Sequence, residues 1–197
     1  VTPDVFRNMA YVREPEGVLA VVEQPQWSVD ALPPGDAGGP LVLVAVGTEK
    51  PGNLGAMVRN ADAAGCAAVL AAGAPVDPFN PNTIRTSTGA VFTMPVLELP
   101  EPDAIALLRA RGYRLAAATL DEPCTPHTDA GLTGPLAIAI GPEDTGLSPA
   151  WTAPRVADLR IRIPMHARSV DSLNASNAAA ILLFESLRQR QRPKRRS

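Results

Sequence analysis

Cysteine and aromatic side chains are scarce in this chain of 197 residues: there are two cysteines, and aromatics make up 4%. Cys66 and Cys124 stand far apart and lack metal-ligand spacing. The expectation is therefore reduced thiols and no bound metal. No apolar run reaches the roughly 18 residues needed to span a bilayer. The first residues, VTPDVFRNMA, show no basic stretch followed by an apolar one, so no secretory signal is read there and no membrane partner is expected. Cytoplasm is the expected location. Neither G-x-G-x-x-G nor G-x-x-x-x-G-K-[ST] occurs, which removes the dinucleotide fingerprint and the P-loop from consideration.

What remains is enough for a full core. Hydrophobic residues make up 46% of the chain, much of it alanine, which favours close packing of helices on a sheet. The length fits one domain with at most an appendage. Charge is unevenly placed. The last twelve residues, SLRQRQRPKRRS, hold six Lys/Arg and no acid. The rest carries 12 basic and 20 acidic side chains, a formal charge of −8. Phosphate contact depends largely on Lys and Arg. A nucleic-acid enzyme with such a body needs clustered basic residues or a separate binding segment. The tail reads either as a solvated, frayed helix end or as a nucleic-acid contact.

Along the chain, strand-like and helix-like runs alternate. Short β-branched runs at 17–22 and 41–46 read as buried strands. Residues 53–64 read as a helix, with Asn53 as N-cap and Gly65 at the end. Strands follow at 67–71, 96–99, 114–119, 136–140 and 159–163. Helices are expected at 82–88, 102–111 and 172–189. This alternation predicts an α/β fold: a mostly parallel sheet with helices on both faces. Residues 1–16 read as an arm or linker, 17–190 as the folded domain and 191–197 as a basic tail.

Three segments place Gly, Asn, Ser or Arg where an apolar run meets a helix-like run. In α/β proteins, chemistry sits at such joints, outside the carboxyl ends of strands. In PGNLGAMVRNADAAG, Gly52 and Gly55 are either turn glycines or part of a ligand loop. Arg59 stands in an otherwise apolar helix, so it must reach a partner or the surface. In IAIGPEDTGLS, Gly141, Pro142, Glu143 and Gly146 form either a plain turn or a loop whose backbone suits a ribose or adenine edge. In IPMHARSVDSLNASN, Ile163, Pro164 and Met165 offer an apolar face. Ser172 and Asn174 are caps or ligand contacts, and Asp171, Ser176 and Asn177 add more polar groups than one cap requires. His127 and His166 read as loop residues.

Together these motifs resemble those of the SpoU/TrmH family of SPOUT RNA methyltransferases. The family has Asn, Gly and an Arg six positions after the Asn, here Asn53, Gly55 and Arg59. A strand then runs into Gly, Glu and Gly, here Gly141, Glu143 and Gly146. Ile-Pro-Met followed by Ser-Leu-Asn matches Ile163, Pro164 and Met165, then Ser172, Leu173 and Asn174. The resemblance covers roughly residues 17–190. It implies methyl transfer from S-adenosylmethionine to a ribose 2′-hydroxyl of RNA, with ribosomal RNA of the large subunit first and transfer RNA as the alternative. It also implies a C-terminal trefoil knot and a homodimer whose cofactor cleft borders the partner subunit. Arg59, Asn53, Glu143, Ser172 and Asn174 take the catalytic positions. Thr119, Leu120, Ile140, Gly141, Pro142, Gly146, Ile163, Met165 and Leu173 line the cofactor pocket. The segment His166 to Asp171 departs from the family, which more often has glycine soon after Ile-Pro-Met. Together with the Val start and the acidic body, the lack of a preceding RNA-binding unit suggests an isolated catalytic domain. The rival readings are a non-catalytic binding module and a nicotinamide-dependent oxidoreductase.

Overall fold

The centre of the sheet is built from two strands buried at every position, β1 (Leu41–Val46) and β6 (Leu136–Ile140). A strand covered on both faces has no polar alternation, which is why LVLVAV and LAIAI are continuous apolar runs. The computed structural model describes residues 1–15, 17–166, 169 and 172–191. The other strands are β2 (Ala68–Ala72), β3 (Val96–Leu99), β4 (Arg114–Ala118), β5 (Thr125–Pro126) and β7 (Leu159–Arg162). Among the described residues, the seven form one sheet in the order β3-β2-β1-β6-β4-β7-β5, and every pairing is parallel.

The helices are α1 (Pro3–Met9), α2 (Pro51–Ala63), α3 (Pro81–Thr86), α4 (Glu101–Ala110), α5 (Pro149–Thr152) and α6 (Ala175–Gln191). Side-chain alternation divides the core into two layers. Leu41, Leu43 and Ala45 of β1 meet α2 through Leu54, Met57 and Val58, and α6 through Ala179, Leu182 and Leu183. Val42, Val44 and Val46 point the other way, to Ala104 and Leu108 of α4 and Trp151 of α5. Helices therefore cover both faces, as the alternating pattern predicts. Gly55 lets α2 and α3 touch: a Cβ there would lie 2.5 Å from the Thr83 carbonyl oxygen and 3.0 Å from the Ser87 nitrogen.

Boundaries differ from the sequence reading mostly by one to three residues. Two differences matter. Residues 17–22 are no strand: Val18 is 85% exposed and Val21 93%. Both edges of β1 are already paired, to β2 and β6, so this apolar run has no backbone partner there. The second concerns α2, which starts at Pro51 with Lys50 at the N-cap. Asn53 therefore lies inside the first turn and its side chain is free for other work.

The C-terminal end of α6 is also firmer than a frayed tail. The Arg190 guanidinium donates to the Gly39 and Gly134 carbonyls, and Ser186 Oγ donates to Leu132 O at 2.6 Å. These bonds tie α6 to the loops that enter β1 and β6. Residues 192–197, most of the basic tail, lie outside the described residues. Cys66 and Cys124 are free thiols, and burial pushes Cys66 up to about 12, so it stays protonated. Among the described residues, no helix is long and apolar enough to cross a membrane.

Candidate functional site

A cavity of about 370 Å³ opens at the carboxyl ends of β4, β6 and β7. Its size falls within the roughly 300–1,000 Å³ range of small-molecule pockets. Three loops and the start of α6 wall it. Thr119 and Leu120 come from the loop after β4. Ile140, Gly141, Pro142, Glu143 and Gly146 come from the end of β6 and its loop. Ile163 and Met165 follow β7, and Ser172 and Leu173 precede α6. All nine residues expected to hold a cofactor are among them. The Leu120 side chain is exposed at 58%, an apolar surface left uncovered at the rim.

The loop after β6 keeps its shape through two glycines. Gly146 has φ +65, a left-handed conformation that favours glycine. A Cβ on Gly141 would lie 2.5 Å from the Gly146 carbonyl oxygen and 2.6 Å from the Leu147 nitrogen. The close approach expected between Gly141 and a ligand is thus first an approach of the loop to itself.

Glu143 joins the three motifs. Its Oε1 accepts from Asn53 Nδ2 at 2.9 Å, from Asn174 Nδ2 at 2.7 Å and from the Ala175 N–H at 3.1 Å. Lys50 Nζ stands 3.4 Å from Oε2. Asn174 Nδ2 also donates to Asn53 Oδ1 at 3.1 Å. Asn174 Oδ1 accepts from the Ser176 N–H and Oγ at 3.0 and 2.6 Å, which caps α6. Both donor hydrogens and both acceptor positions of Asn174 are therefore engaged. Asn174 is a cap, as one reading had it, and it is also the clasp between α2, the β6 loop and α6.

The Ala175 N–H, then Asn53 and Lys50, hold the Glu143 carboxyl below its ordinary range, against partial burial, which acts the other way. Glu143 is thus ionised at neutral pH and saturated with donors, which suits orientation better than proton abstraction. A group whose pKa is depressed in the fold contributes stability above its unfolded pKa and loses it as pH falls through the folded value. The melting temperatures of the parent and Glu143→Gln are therefore expected to differ at pH 7. Thermal scans across pH should show that gap closing below about 4.3, the unperturbed Glu value.

Other sequence-predicted residues are placed differently. Arg59 is exposed on α2 and lines neither this cavity nor its neighbour. His127 follows β5 and lies outside the cavity; His166 is exposed. Of the segment His166 to Asp171, Ala167, Arg168, Val170 and Asp171 lie outside the described residues. Sequence reasoning missed Lys50, which stands next to the first motif, and also Asp121 and Arg162 on the cavity wall. The signal for the last two was adjacency to the predicted strand ends.

The lining carries three carboxylates, Asp121, Glu143 and Asp144, and one guanidinium, Arg162. A negative, partly apolar cavity bordered by strand-end backbone fits a cationic sulfonium nucleoside. Comparison with known proteins agrees with this chemistry. The profile of the SpoU rRNA Methylase family matches residues 40–184. A 23S rRNA (uridine(2479)-2′-O)-methyltransferase of Streptomyces viridochromogenes is 36% identical, over 96% of this chain and 67% of that protein. A solved RNA 2′-O ribose methyltransferase superimposes with a TM-score of 0.72 at 42% identity, over 89% of this chain and 61% of that one. The SpoU methyltransferase AviRb of S. viridochromogenes, solved with the cofactor AdoMet, gives a TM-score of 0.72 at 35% identity, over 85% of this chain and 63% of that one. The chain thus spans 61–67% of the length of these three proteins. A match over residues 40–184, a span that contains all three motifs meeting at Glu143, places this chain in the SpoU rRNA methylase family.

Proposed function

We propose that this chain transfers a methyl group from S-adenosylmethionine to a ribose 2′-hydroxyl of RNA, with 23S ribosomal RNA as the substrate. The carrying observation is the Asn53–Glu143–Asn174 clasp at the wall of a negative cavity. It locks the loop that shapes the cofactor pocket to the helix that faces the acceptor. The cofactor supplies an already activated methyl group. The chain's own tasks are to align the acceptor and to draw the proton away from its hydroxyl. Ile163, Met165 and Leu173 offer apolar cover for an adenine. Backbone groups from Gly141 to Gly146 suit the ribose. Ser172, exposed at the cavity edge, is placed to touch the substrate. Arg59 takes the role of an orienting cation, because a guanidinium stays protonated and is unsuited to act as a base.

The same reading includes a homodimer. Ile181 and Phe184 of α6 lie one turn apart and are 38% and 45% exposed, an apolar stripe suited to a second copy. It also includes a trefoil knot. The likeness to the SpoU rRNA methylase family is what supports this part of the reading. The same reading includes the cytoplasm as the location, where ribosomal RNA would be the substrate.

The test is methylation of an unmodified 23S rRNA transcript with labelled adenosylmethionine, followed by mapping of 2′-O-methyl sites. One modified ribose is the expected result. Transfer to tRNA alone would replace the substrate, and no transfer to any RNA despite cofactor binding would overturn the reading. Light scattering at micromolar concentration should give twice the chain mass; a monomer would remove the dimer.

A further inference from the structure

A second cavity of about 190 Å³ adjoins the first. Its walls are Thr48, Glu49, Lys50 and Asn53 on one side, and Pro142, Glu143, Asp144 and Ala175 on the other. The last four also line the larger cavity, so the Glu143 side of the wall is common to both. The small cavity occupies a distinctive place in the fold. β1 and β6 are neighbours, but the loops after them leave in opposite directions. The loop after β1 leads to α2 on one face of the sheet, and the loop after β6 leads to α5 on the other. This divergence is a topological switch point. In open parallel sheets, the crevice outside the strand ends at such a point is where ligands bind.

Among the described residues, Lys50 is the only cation lining this crevice. Its side chain is 72% exposed and holds Glu143 only loosely, at 3.4 Å, whereas Glu143 Oε1 already has three closer donors. The ammonium is therefore available to a stronger anion. Residue choice points the same way. The chain has 16 arginines and two lysines, and the other lysine is Lys194 in the basic tail. The body of the protein uses Arg everywhere except here. A compact ammonium on a flexible stem fits a narrow crevice and meets a phosphate as a point charge, where a planar fork would need two aligned acceptors. With a formal charge of −8 outside the last twelve residues, a cation beside the reacting groups has a large share in bringing RNA in.

We propose that the switch-point crevice receives the RNA backbone next to the acceptor ribose, and that Lys50 binds its phosphate. On binding, Lys50 exchanges its loose contact with Glu143 for the phosphate oxygen. Glu143 keeps its shape through Asn53, Asn174 and the Ala175 N–H. Lys50 is thus a positioning residue for the acceptor. This inference rests on the RNA methyltransfer reading above, but the measurements below separate the two.

The experiment compares the parent, Lys50→Ala and Lys50→Arg with an unmodified 23S rRNA transcript. Filter binding across salt concentrations, steady-state methyl transfer and calorimetry with adenosylmethionine are measured for each. Lys50→Ala should raise KM for the transcript about tenfold, more than it lowers kcat. It should also reduce the slope of log affinity against log salt by about 0.7–0.9, the loss of one phosphate contact. Lys50→Arg should restore the salt slope. The adenosylmethionine Kd should stay within twofold in both variants. An unchanged salt slope and RNA affinity in Lys50→Ala overturns the proposal. So does a parallel loss of adenosylmethionine affinity, which would assign Lys50 to the cofactor. A fall in kcat alone also overturns it, since Lys50 would then act through Glu143. If the parent binds the transcript but never methylates it, the functional reading fails, while the salt slope still decides the role of Lys50.

Discussion

Arg59→Ala should lower methyl transfer to RNA by about 10²–10³-fold, the scale seen when one donor to a developing negative charge is removed. Adenosylmethionine affinity should stay unchanged, because Arg59 does not line the cavity proposed to hold the cofactor. That combination marks an interaction made in the transition state and absent from cofactor binding. Arg59→Lys should recover little, since a point charge does not reproduce the planar fork. The placement of Arg59 makes this a sharp test. It is exposed on α2, on the helix that supplies Asn53 to the Glu143 clasp. A long side chain on the surface of an apolar helix is equally what a solvated arginine looks like. Single-turnover kinetics with the transcript separate the two: near-parental rates in both variants would leave Arg59 as surface and remove it from the mechanism.

Gly141→Ala is the second large effect. The added methyl would meet backbone of Gly146 and Leu147 at 2.5–2.6 Å, and neither is the movable end of a side chain. The loop has to open by close to an ångström. Thr145, Gly146 and Leu147 all line the cavity, so the opening deforms the proposed cofactor pocket itself. Adenosylmethionine affinity should fall roughly 100-fold, the order of loss expected for a misplacement of about 1 Å at a preorganised site. The sheet beneath the loop should remain folded, because Ile140 and its neighbours pack on both faces independently of the loop. Calorimetry and circular dichroism on the same sample check both halves. A folded Gly141→Ala protein that binds the cofactor like the parent would show that the pocket lies elsewhere.

Much of the site was legible in the sequence because strand ends announce themselves. The apolar runs at 136–140 and 159–163 stop at Gly141 and Pro164, and the cavity lies at their ends. The residues expected to line it do so. What stayed hidden depended on contacts distant in sequence. Nothing local says that Asn53 and Asn174, 121 positions apart, share a hydrogen bond, or that Glu143 joins both. A helix start misplaced by two residues turned Asn53 into a cap and hid Lys50 beside it.

The sequence by itself determined the alternation of strands and helices, the burial of β1, and the three motifs that mark the family. These follow from hydrophobic period and residue type, which are local properties. Only the tertiary structure decided which strands are neighbours, and hence that β1 and β6 part at a switch point with Lys50 in the crevice. Only the fold left residues 17–22 outside the sheet, although their composition suits a strand. The reason is the same in each case. Propensity fixes what a segment is able to form, while hydrogen-bond partners and packing space are set by segments far away in the chain.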